Sequence, residues 1–258
     1  MPEGDSVAND ALKLRPVLVG KEIADVYGTK GSVRSNVGRL RGHKVESIRT
    51  VGKNLVIDLD SGYSLHVHLG MTGRWRVVPA DRKIPGSAGV ALTTDSHHAA
   101  CLGAPTVDVD RTPAIDARLS RLGPDLLSES VDTGEILKRA RQRGGSLAEI
   151  LLDQTVAAGV GNVYKSELAF LARLHPETSL DRIDDAALAG VYENAVRLLR
   201  ANVGPGRRTT TGERGRGRET WVYGRAGRAC RRCSARIESS GGAERVTYWC
   251  PRCQVIAS

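Results

Sequence analysis

The sequence lacks the long apolar segment that a membrane-spanning helix requires, since no uncharged apolar run approaches about 20 residues. It also lacks a basic, apolar leader, because it begins with the acidic stretch Met-Pro-Glu-Gly-Asp and no apolar run follows. These absences argue against a membrane protein and against a secreted one. We therefore expect a cytoplasmic protein in a reducing compartment, whose five cysteines are thiols or metal ligands rather than disulfides.

Lysine and aspartate are absent from residues 200–258, which hold 13 arginines and four glutamates. Residues 1–199 are balanced at 25 basic and 25 acidic side chains, so the whole net charge of +9 lies in the C-terminal segment. A basic surface built from arginine alone favours a polyanionic partner, most often nucleic acid. The alternative is a soluble protein with a solvated basic end.

Hydrophobic periodicity separates a β-rich first part from a helical second part. Residues 5–19 predict a helix with Asp5 as its N-cap, which Pro16 should kink or end early. From 22 to about 110, short stretches such as Leu55–Leu59 and Tyr63–Val67 alternate apolar and polar residues. Several short strands at this spacing favour a β-sandwich or a barrel.

The turn Leu122-Gly-Pro-Asp125 marks a predicted boundary, after which the hydrophobic period becomes helical. Helices are expected at residues 132–142, 146–154, 163–173 and 184–202. Residues 204–220 are rich in Gly, Arg and Thr and predict a mobile loop. The predicted domains are residues 1–121, 122–220 and 221–258.

The cysteine pattern is the most specific motif in the sequence. Two Cys-x-x-Cys pairs, Cys230/Cys233 and Cys250/Cys253, are separated by sixteen residues. Four thiolates at the base of a hairpin complete the tetrahedral coordination of Zn²⁺, so the sequence predicts one structural zinc with no open catalytic position. Cys101, on a predicted strand, is interpreted as a buried apolar side chain.

Three further features could carry chemistry, and each also has a plain structural explanation. The glycine-rich segment before Asn162 and Lys165 could present backbone N–H groups to a phosphate, or could simply join two helices. If Met1 is removed, Pro2 offers a secondary amine that forms a cationic iminium with an aldehyde, and Glu3 could move protons. Lys53 lies in a turn, where most lysines are merely solvated.

Taken together, these motifs resemble the formamidopyrimidine-DNA glycosylase and endonuclease VIII family of base-excision repair enzymes. The resemblance extends from residue 2 to 254 and rests on seven ordered motifs: Pro2-Glu-Gly4, Val51-Gly-Lys53, His68-Leu-Gly-Met-Thr-Gly73, Leu122-Gly-Pro-Asp125, Leu152-Asp-Gln154 with Gly159-Val-Gly-Asn162, Val222-Tyr-Gly-Arg-Ala-Gly227, and the cysteine pattern with Arg245-Val-Thr-Tyr-Trp-Cys250. It implies an α+β multidomain protein with an N-terminal β-sandwich and leading helix, a helix–two-turns–helix domain, and a C-terminal zinc ribbon.

The resemblance also implies roles for individual residues. Pro2 is expected to be the nucleophile, Glu3 the general acid/base, and Lys53 a phosphate contact that assists β-elimination. Arg245 is expected to bind phosphate and to assist δ-elimination. Contacts with DNA are expected from His68, Met71, Arg121, Asn162, Lys165 and Arg245. Met71 corresponds to the residue that fills the gap when a damaged nucleotide leaves the stack.

The sequence thus predicts a monomeric, bifunctional DNA glycosylase and abasic-site lyase that acts on damaged DNA in the cytoplasm, at the nucleoid. The branch nearer to endonuclease VIII favours oxidised pyrimidines as its substrates. Oxidised purines are an alternative, and so is a non-catalytic zinc-ribbon protein that binds DNA. The chain departs from the family at Ser6, where glutamate is frequent, and in the loop Gly70-Met-Thr72, which supplies one bulky residue instead of a three-residue wedge.

Overall fold

The computed structural model describes residues 1–213, 215–241 and 246–255. Arg245, expected to bind phosphate, lies outside the described residues. The chain divides into two compact units, Met1–Arg121 and Leu122–Ser258, and each is described by itself. Among the described residues, we find no helix with both the length and the apolar character needed to cross a membrane.

The first unit contains two four-stranded antiparallel sheets, which confirms the predicted β-sandwich. Its strands are β1 (Asp25–Gly28), β2 (Val45–Val51), β3 (Asn54–Leu59), β4 (Tyr63–His68), β5 (Arg74–Pro79), β6 (Ala88–Thr93), β7 (His97–Leu102) and β8 (Thr106–Arg111). One sheet has the order β1-β6-β7-β5 and the other the order β2-β3-β4-β8. The alternation of apolar and polar residues therefore places one face of each strand in a common core.

The core of the sandwich is apolar and closely covered. Leu55, Ile57, Leu65 and Val67 of β3 and β4 are all completely buried. Cys101 belongs to the same core, and burial raises the pKa of its thiol to about 12. The interpretation of Cys101 as a buried apolar side chain is thereby confirmed.

Helix α1 (Gly4–Leu18) covers part of this core through residues spaced four and three apart, Val7, Ala11 and Leu14. Its N-cap is Glu3, so the prediction of Asp5 as N-cap is wrong. The helix begins one residue earlier than its hydrophobic period indicates, and Asp5 lies buried in its first turn. Pro16 lies inside the last turn, close to the end of the helix.

Three short helices interrupt the β-rich part and were not predicted, namely α2 (Gly31–Ser35), α3 (Val37–Leu40) and α4 (Thr112–Leu119). Segments of four to eight residues contain too few turns to show a helical period. Helix α4 nonetheless has a proline in its first turn, a position that favours helix initiation.

The second unit contains the four predicted helices, α5 (Thr133–Arg143), α6 (Leu147–Leu152), α7 (Asn162–Leu171) and α8 (Asp185–Ala201). Asp132 and Asp184 cap α5 and α8 by accepting backbone N–H groups, and Ser146 forms a capping box with Glu149 at α6. A two-stranded antiparallel hairpin follows, β9 (Glu238–Ser240) and β10 (Thr247–Trp249). This hairpin and the cysteines form the predicted ribbon, although the boundary at 220/221 stays a prediction.

Candidate functional site

The N-terminal pair Pro2-Glu3 is held by the start of α1. Glu3 has an extended backbone (φ −129°, ψ −173°), and its carbonyl accepts the N–H groups of Ser6 and Val7 at 2.9 and 3.1 Å. Its side chain is completely buried, whereas Pro2 is half-buried. The helix start therefore fixes the backbone of Glu3, directly after Pro2.

Helix α1 runs antiparallel to β2. Its last turn lies beside the start of that strand, where Val19 bridges Val45 and the Arg15 guanidinium donates to the Ile48 carbonyl at 3.0 Å. A helix of 15 residues and a strand of seven are about equally long, at ~1.5 and ~3.3 Å per residue. The N-terminus of α1 therefore lies towards the far end of β2, where the next turn begins.

That turn carries Lys53. Val51 pairs with Asn54, so Gly52 and Lys53 form a two-residue hairpin loop, and Gly52 has the positive φ of 57° that a type II′ turn requires at its first position. The Asn54 side chain braces the loop, since its Nδ2 donates to the Val51 carbonyl at 3.0 Å and its Oδ1 accepts from His66 at 2.9 Å. Lys53 is thus presented at the tip of a rigid hairpin.

His68 is a neighbour of Lys53. It pairs with Asn54 across β3 and β4, and its Nδ1 accepts the Gly70 N–H at 3.3 Å. Burial lowers the pKa of His68, and the positive charge of Lys53 lowers it further. The imidazole is accordingly neutral, with its proton on Nε2, where it can donate to an anion such as a phosphate.

Met71 projects from the loop that follows β4 and is 51% exposed. Two glycines shape this loop. Gly70 has a φ of +61°, and a Cβ atom at Gly73 would lie 2.2 Å from the Leu69 carbonyl oxygen. The loop therefore holds one flexible apolar side chain in solvent, at the same end of the sheet as Lys53.

Helix α4 brings Arg121 back towards this end. The helix begins where the Thr112 N–H donates to the Gly62 carbonyl, beyond the opposite end of β4. Further along, Arg118 forms an ion pair with Asp108 at 3.1 Å, nearer to the His68 end of the sheet. Arg121, two residues past the helix, is exposed. The fold thus directs all candidate residues of the first unit to one end of the sandwich.

In the second unit, Asn162 begins α7 after a two-turn segment that Gln154 closes. The Gln154 amide donates to the Val160 carbonyl at 3.0 Å and accepts the Gly159 N–H at 3.1 Å. Gly159 has a φ of +126°, which favours glycine at this position. The glycine-rich segment therefore shapes the backbone that leads into the N-terminus of α7.

Lys165, which the sequence analysis expects to contact DNA, is buried. It is only 1% exposed, and its ammonium donates to Asn162 Oδ1 at 2.6 Å and to Thr247 Oγ1 at 2.7 Å. The Asn162 amide in turn donates to the Val246 carbonyl at 2.9 Å. This geometry gives Lys165 contacts inside the protein, between α7 and β10.

Glu167, which the sequence analysis missed, is completely buried on the same helix. Its carboxylate accepts a hydrogen bond from the Thr210 hydroxyl and accepts the N–H groups of Trp221, Val222 and Tyr223 at 2.7 to 2.8 Å. Burial raises the pKa of Glu167 above its ordinary value, and the four donors offset part of that rise. Because all four partners donate, the ionised form fits this geometry. The one sequence signal that could have indicated this buried carboxylate is the position of Glu167 directly before the apolar residues 168–171.

The four ribbon cysteines fit a zinc ion. Their Sγ atoms all lie within 4.8 Å of one another, with Cys230 and Cys253 at 3.9 Å and Cys233 and Cys250 at 3.4 Å. Zn–S bonds of about 2.3 Å place the sulfurs of a tetrahedral site about 3.8 Å apart. The chain therefore has one structural zinc site, and its four thiolates leave no position for a substrate.

Three family models match the chain. They are the Formamidopyrimidine-DNA glycosylase N-terminal domain over residues 1–106, the Formamidopyrimidine-DNA glycosylase H2TH domain over residues 122–213, and the zinc finger found in FPG and IleRS over residues 227–255. Together they cover most of the sandwich, the helices of the second unit and the ribbon hairpin.

Full-length relatives agree with these matches. The DNA-(apurinic or apyrimidinic site) lyase Nei2 of Mycolicibacterium smegmatis is 39% identical, with 100% of both chains covered. The probable endonuclease 8 2 of Streptomyces coelicolor is 37% identical, over 98% of this chain and 94% of its own length. A solved structure of Lactococcus lactis Fpg with DNA that contains N7-benzyl-Fapy-dG has a TM-score of 0.85, covers 98% of this chain and 100% of its own, and is 24% identical, which supports the fold.

Proposed function

Because this chain belongs to the formamidopyrimidine-DNA glycosylase and endonuclease VIII family, we propose that it is a bifunctional DNA glycosylase and abasic-site lyase. Its substrates are oxidised bases in DNA, mainly pyrimidines, as the likeness to endonuclease 8 relatives favours. The observation that carries this proposal is the fixed Pro2-Glu3 pair on a helix whose N-terminus lies towards the hairpin end with Lys53 and His68.

Pro2 is the nucleophile in this proposal. Once Met1 is removed, Pro2 has a free secondary amine, and α-amino groups at a chain terminus are appreciably unprotonated near neutrality. The amine attacks the sugar C1′, the glycosidic bond breaks, and the base leaves with the electron pair and a proton. The amine proton is lost and the sugar ring opens to an iminium, with Glu3 exchanging protons at the reacting atoms.

Strand cleavage follows from the positive charge of that iminium. Removal of a proton from C2′ expels the 3′ phosphate in β-elimination, and a further elimination expels the 5′ phosphate. Water then hydrolyses the iminium and releases Pro2. We assign Lys53 to a phosphate contact during the first elimination and Arg245 to phosphate binding during the second.

The remaining candidate residues bind DNA in this proposal. His68, Arg121 and Asn162 contact the backbone, and Met71 fills the gap left by the flipped nucleotide. Zinc, when bound, holds the ribbon folded and takes no part in proton or phosphate transfer. We further propose a cytoplasmic monomer that acts on the nucleoid, with domains at residues 1–121, 122–220 and 221–258.

Borohydride trapping tests the nucleophile directly. The wild-type chain should give one covalent protein–DNA band on an abasic-site duplex, because borohydride reduces the iminium to a stable amine. An N-terminal extension keeps Pro2 inside a peptide bond and should abolish both the band and strand cleavage, whereas the same extension at the C-terminus should leave both. Unchanged trapping with the N-terminal extension would identify another nucleophile, such as Lys53.

Two further measurements distinguish base removal from strand cleavage, and oxidised pyrimidines from oxidised purines as substrates. Glu3→Gln should impair base removal more than cleavage of a preformed abasic site, since the aldehyde is already available there. A panel of duplexes with oxidised pyrimidines or purines should show faster excision of the pyrimidines. No trapped adduct from any substrate would favour a non-catalytic DNA-binding protein.

A further inference from the structure

The buried ammonium of Lys165 is a feature that phosphate binding by itself does not explain. Lys165 is 1% exposed and lies one helical turn after Asn162, which is 6% exposed and so lies nearer to the surface at the start of the helix. Its ammonium is 2.6 Å from Asn162 Oδ1 and 2.7 Å from Thr247 Oγ1. The charge is therefore directed at the amide of Asn162 and at strand β10.

These contacts determine which way the Asn162 amide faces. A lysine ammonium can only donate, so the atom 2.6 Å from it is the amide oxygen. The Val246 carbonyl can only accept, so the atom 2.9 Å from it is the amide nitrogen. Both contacts require the same orientation, and the amide nitrogen carries a second N–H group that can donate to another acceptor.

We propose that Lys165 is a positioning residue, which fixes the Asn162 amide so that its Nδ2 donates to a DNA phosphate. This inference rests on the proposed function, since it assumes that Asn162 binds the backbone of a DNA substrate. Without Lys165 only the Val246 carbonyl would hold the amide, so the flipped form, whose oxygen a phosphate repels, would become more populated. Thr247 holds the ammonium in place, so the ribbon strand β10 takes part in preparing the site.

The proposal differs measurably from two simpler roles. If Lys165 bound phosphate directly, its loss would lower the log–log salt slope of binding to duplex DNA by about 0.9. If it only joined α7 to β10, its loss would lower stability and leave the affinity of the folded protein unchanged. A positioning role changes affinity through Asn162 and leaves the salt slope unchanged.

A double-mutant cycle distinguishes these cases. Lys165→Met, Asn162→Ala and the double variant are compared for binding to a duplex with a reduced, uncleavable abasic site. Each single change should weaken binding by about tenfold, the loss expected for one hydrogen bond to a charged group. In the Asn162→Ala background, Lys165→Met should change affinity by less than about twofold, because the group that it positions is gone.

Controls keep the outcome specific. Lys13→Met removes one charge from an exposed lysine on α1 and should leave affinity unchanged. Urea unfolding and zinc content show whether each variant is folded. Should Lys165→Met fail to fold, hydrogen exchange at the Asn162 side-chain amide in the wild-type chain replaces it, and a fixed amide should exchange slowly.

Three results would overturn the inference: unchanged affinity in folded Lys165→Met, equal losses from Lys165→Met with and without Asn162, or rapid exchange of the Asn162 amide. A salt slope lowered by about 0.9 would instead establish a direct phosphate contact. If the wild-type chain does not bind the duplex at all, the proposed function fails. That outcome differs from a Lys165→Met variant that binds as tightly as the wild type, which would overturn only the role of Lys165.

Discussion

The sandwich and the ribbon are stabilised in different ways. The sandwich core contains 24 buried residues, all apolar, whereas the cluster that supports the ribbon contains five buried residues, two of them zinc ligands. Burying a large apolar side chain contributes about 1.5–3 kcal/mol, so a cluster of this size cannot offset the ordering of the whole ribbon. We therefore expect the sandwich to fold by burial alone and the ribbon to depend on its metal and on its contact with α7.

The two regions also differ in where their charged residues lie and in which residue types carry the charge. In the sandwich, the candidate catalytic groups lie at the ends of regular elements, with Glu3 at a helix start and Lys53 at a hairpin tip. The ribbon lies in the segment whose basic residues are all arginine. We therefore expect the sandwich to keep the geometry of its candidate residues when the ribbon is lost, and DNA binding to weaken.

Removal of a zinc ligand should have the largest effect. Cys250→Ser, or chelation, should unfold the ribbon and weaken DNA binding more than tenfold, because structural zinc contributes roughly 10–16 kcal/mol in small zinc-dependent folds. The sandwich should keep its unfolding transition. Metal analysis, hydrogen exchange of the β3 and β4 amides, and binding to an abasic-site duplex measure the three effects.

Cys101→Ser provides the matched control, since it makes the same chemical change inside the sandwich. It should leave zinc at one equivalent and lower the stability of the sandwich by about 1–3 kcal/mol, through burial of a hydroxyl group. Less than half an equivalent of zinc in fresh, reduced wild-type protein would contradict the proposed dependence of the ribbon on metal.

Glu167→Gln should have the next largest effect. The amide nitrogen of glutamine would face N–H and O–H donors, leaving buried groups without acceptors, at a cost of about 3 kcal/mol in unfolding free energy. The loss should be confined to the second unit, because the four groups that donate to Glu167 belong to it. Glu213→Gln, at an exposed carboxylate, should change stability by less than about 0.5 kcal/mol in urea unfolding.

The sequence predicts the architecture well because its periodicity is strong where burial is one-sided. Strand β4 alternates apolar and polar residues, and helix α8 repeats its apolar residues every three or four positions, so both were located to within two residues. The helices α2 and α3 were missed because a single turn has no period.

Helix α7 shows why the site was harder to predict than the fold. Every residue from Asn162 to Phe170 is buried, so the helix has no solvent face on which a lysine or glutamate is expected. The sequence could locate Asn162 through a family motif. The burial of Lys165 and Glu167 depends on β10 and on residues 210–223, which are distant in the sequence, and only the folded chain shows it.

Arg245→Ala should have a smaller effect, confined to DNA binding. Loss of one phosphate contact should lower the log–log salt slope on duplex DNA by about 0.9 and weaken binding to all sequences alike. Binding isotherms at several salt concentrations measure the slope, with Lys13→Met as the control. An unchanged slope would show that the arginine-rich segment binds DNA without this residue.

His66 provides a further test, a pH dependence that belongs to the sandwich alone. Burial, together with the charge of Arg118, lowers the pKa of His66 to about 4 from an ordinary 6.5. Between these values the unfolded chain binds the proton and the folded chain does not, so the stability present above pH 6.5 is lost as the pH falls towards 4.

His66→Gln keeps a donor for the Asn54 oxygen but cannot titrate, and should flatten this dependence. Urea unfolding followed by hydrogen exchange of the β3 and β4 amides measures the stability of the sandwich separately from the release of zinc in acid. His97→Gln serves as the control, at a histidine that is hydrogen-bonded to Ser96. An equally steep acid loss in both variants would assign the titration to another group.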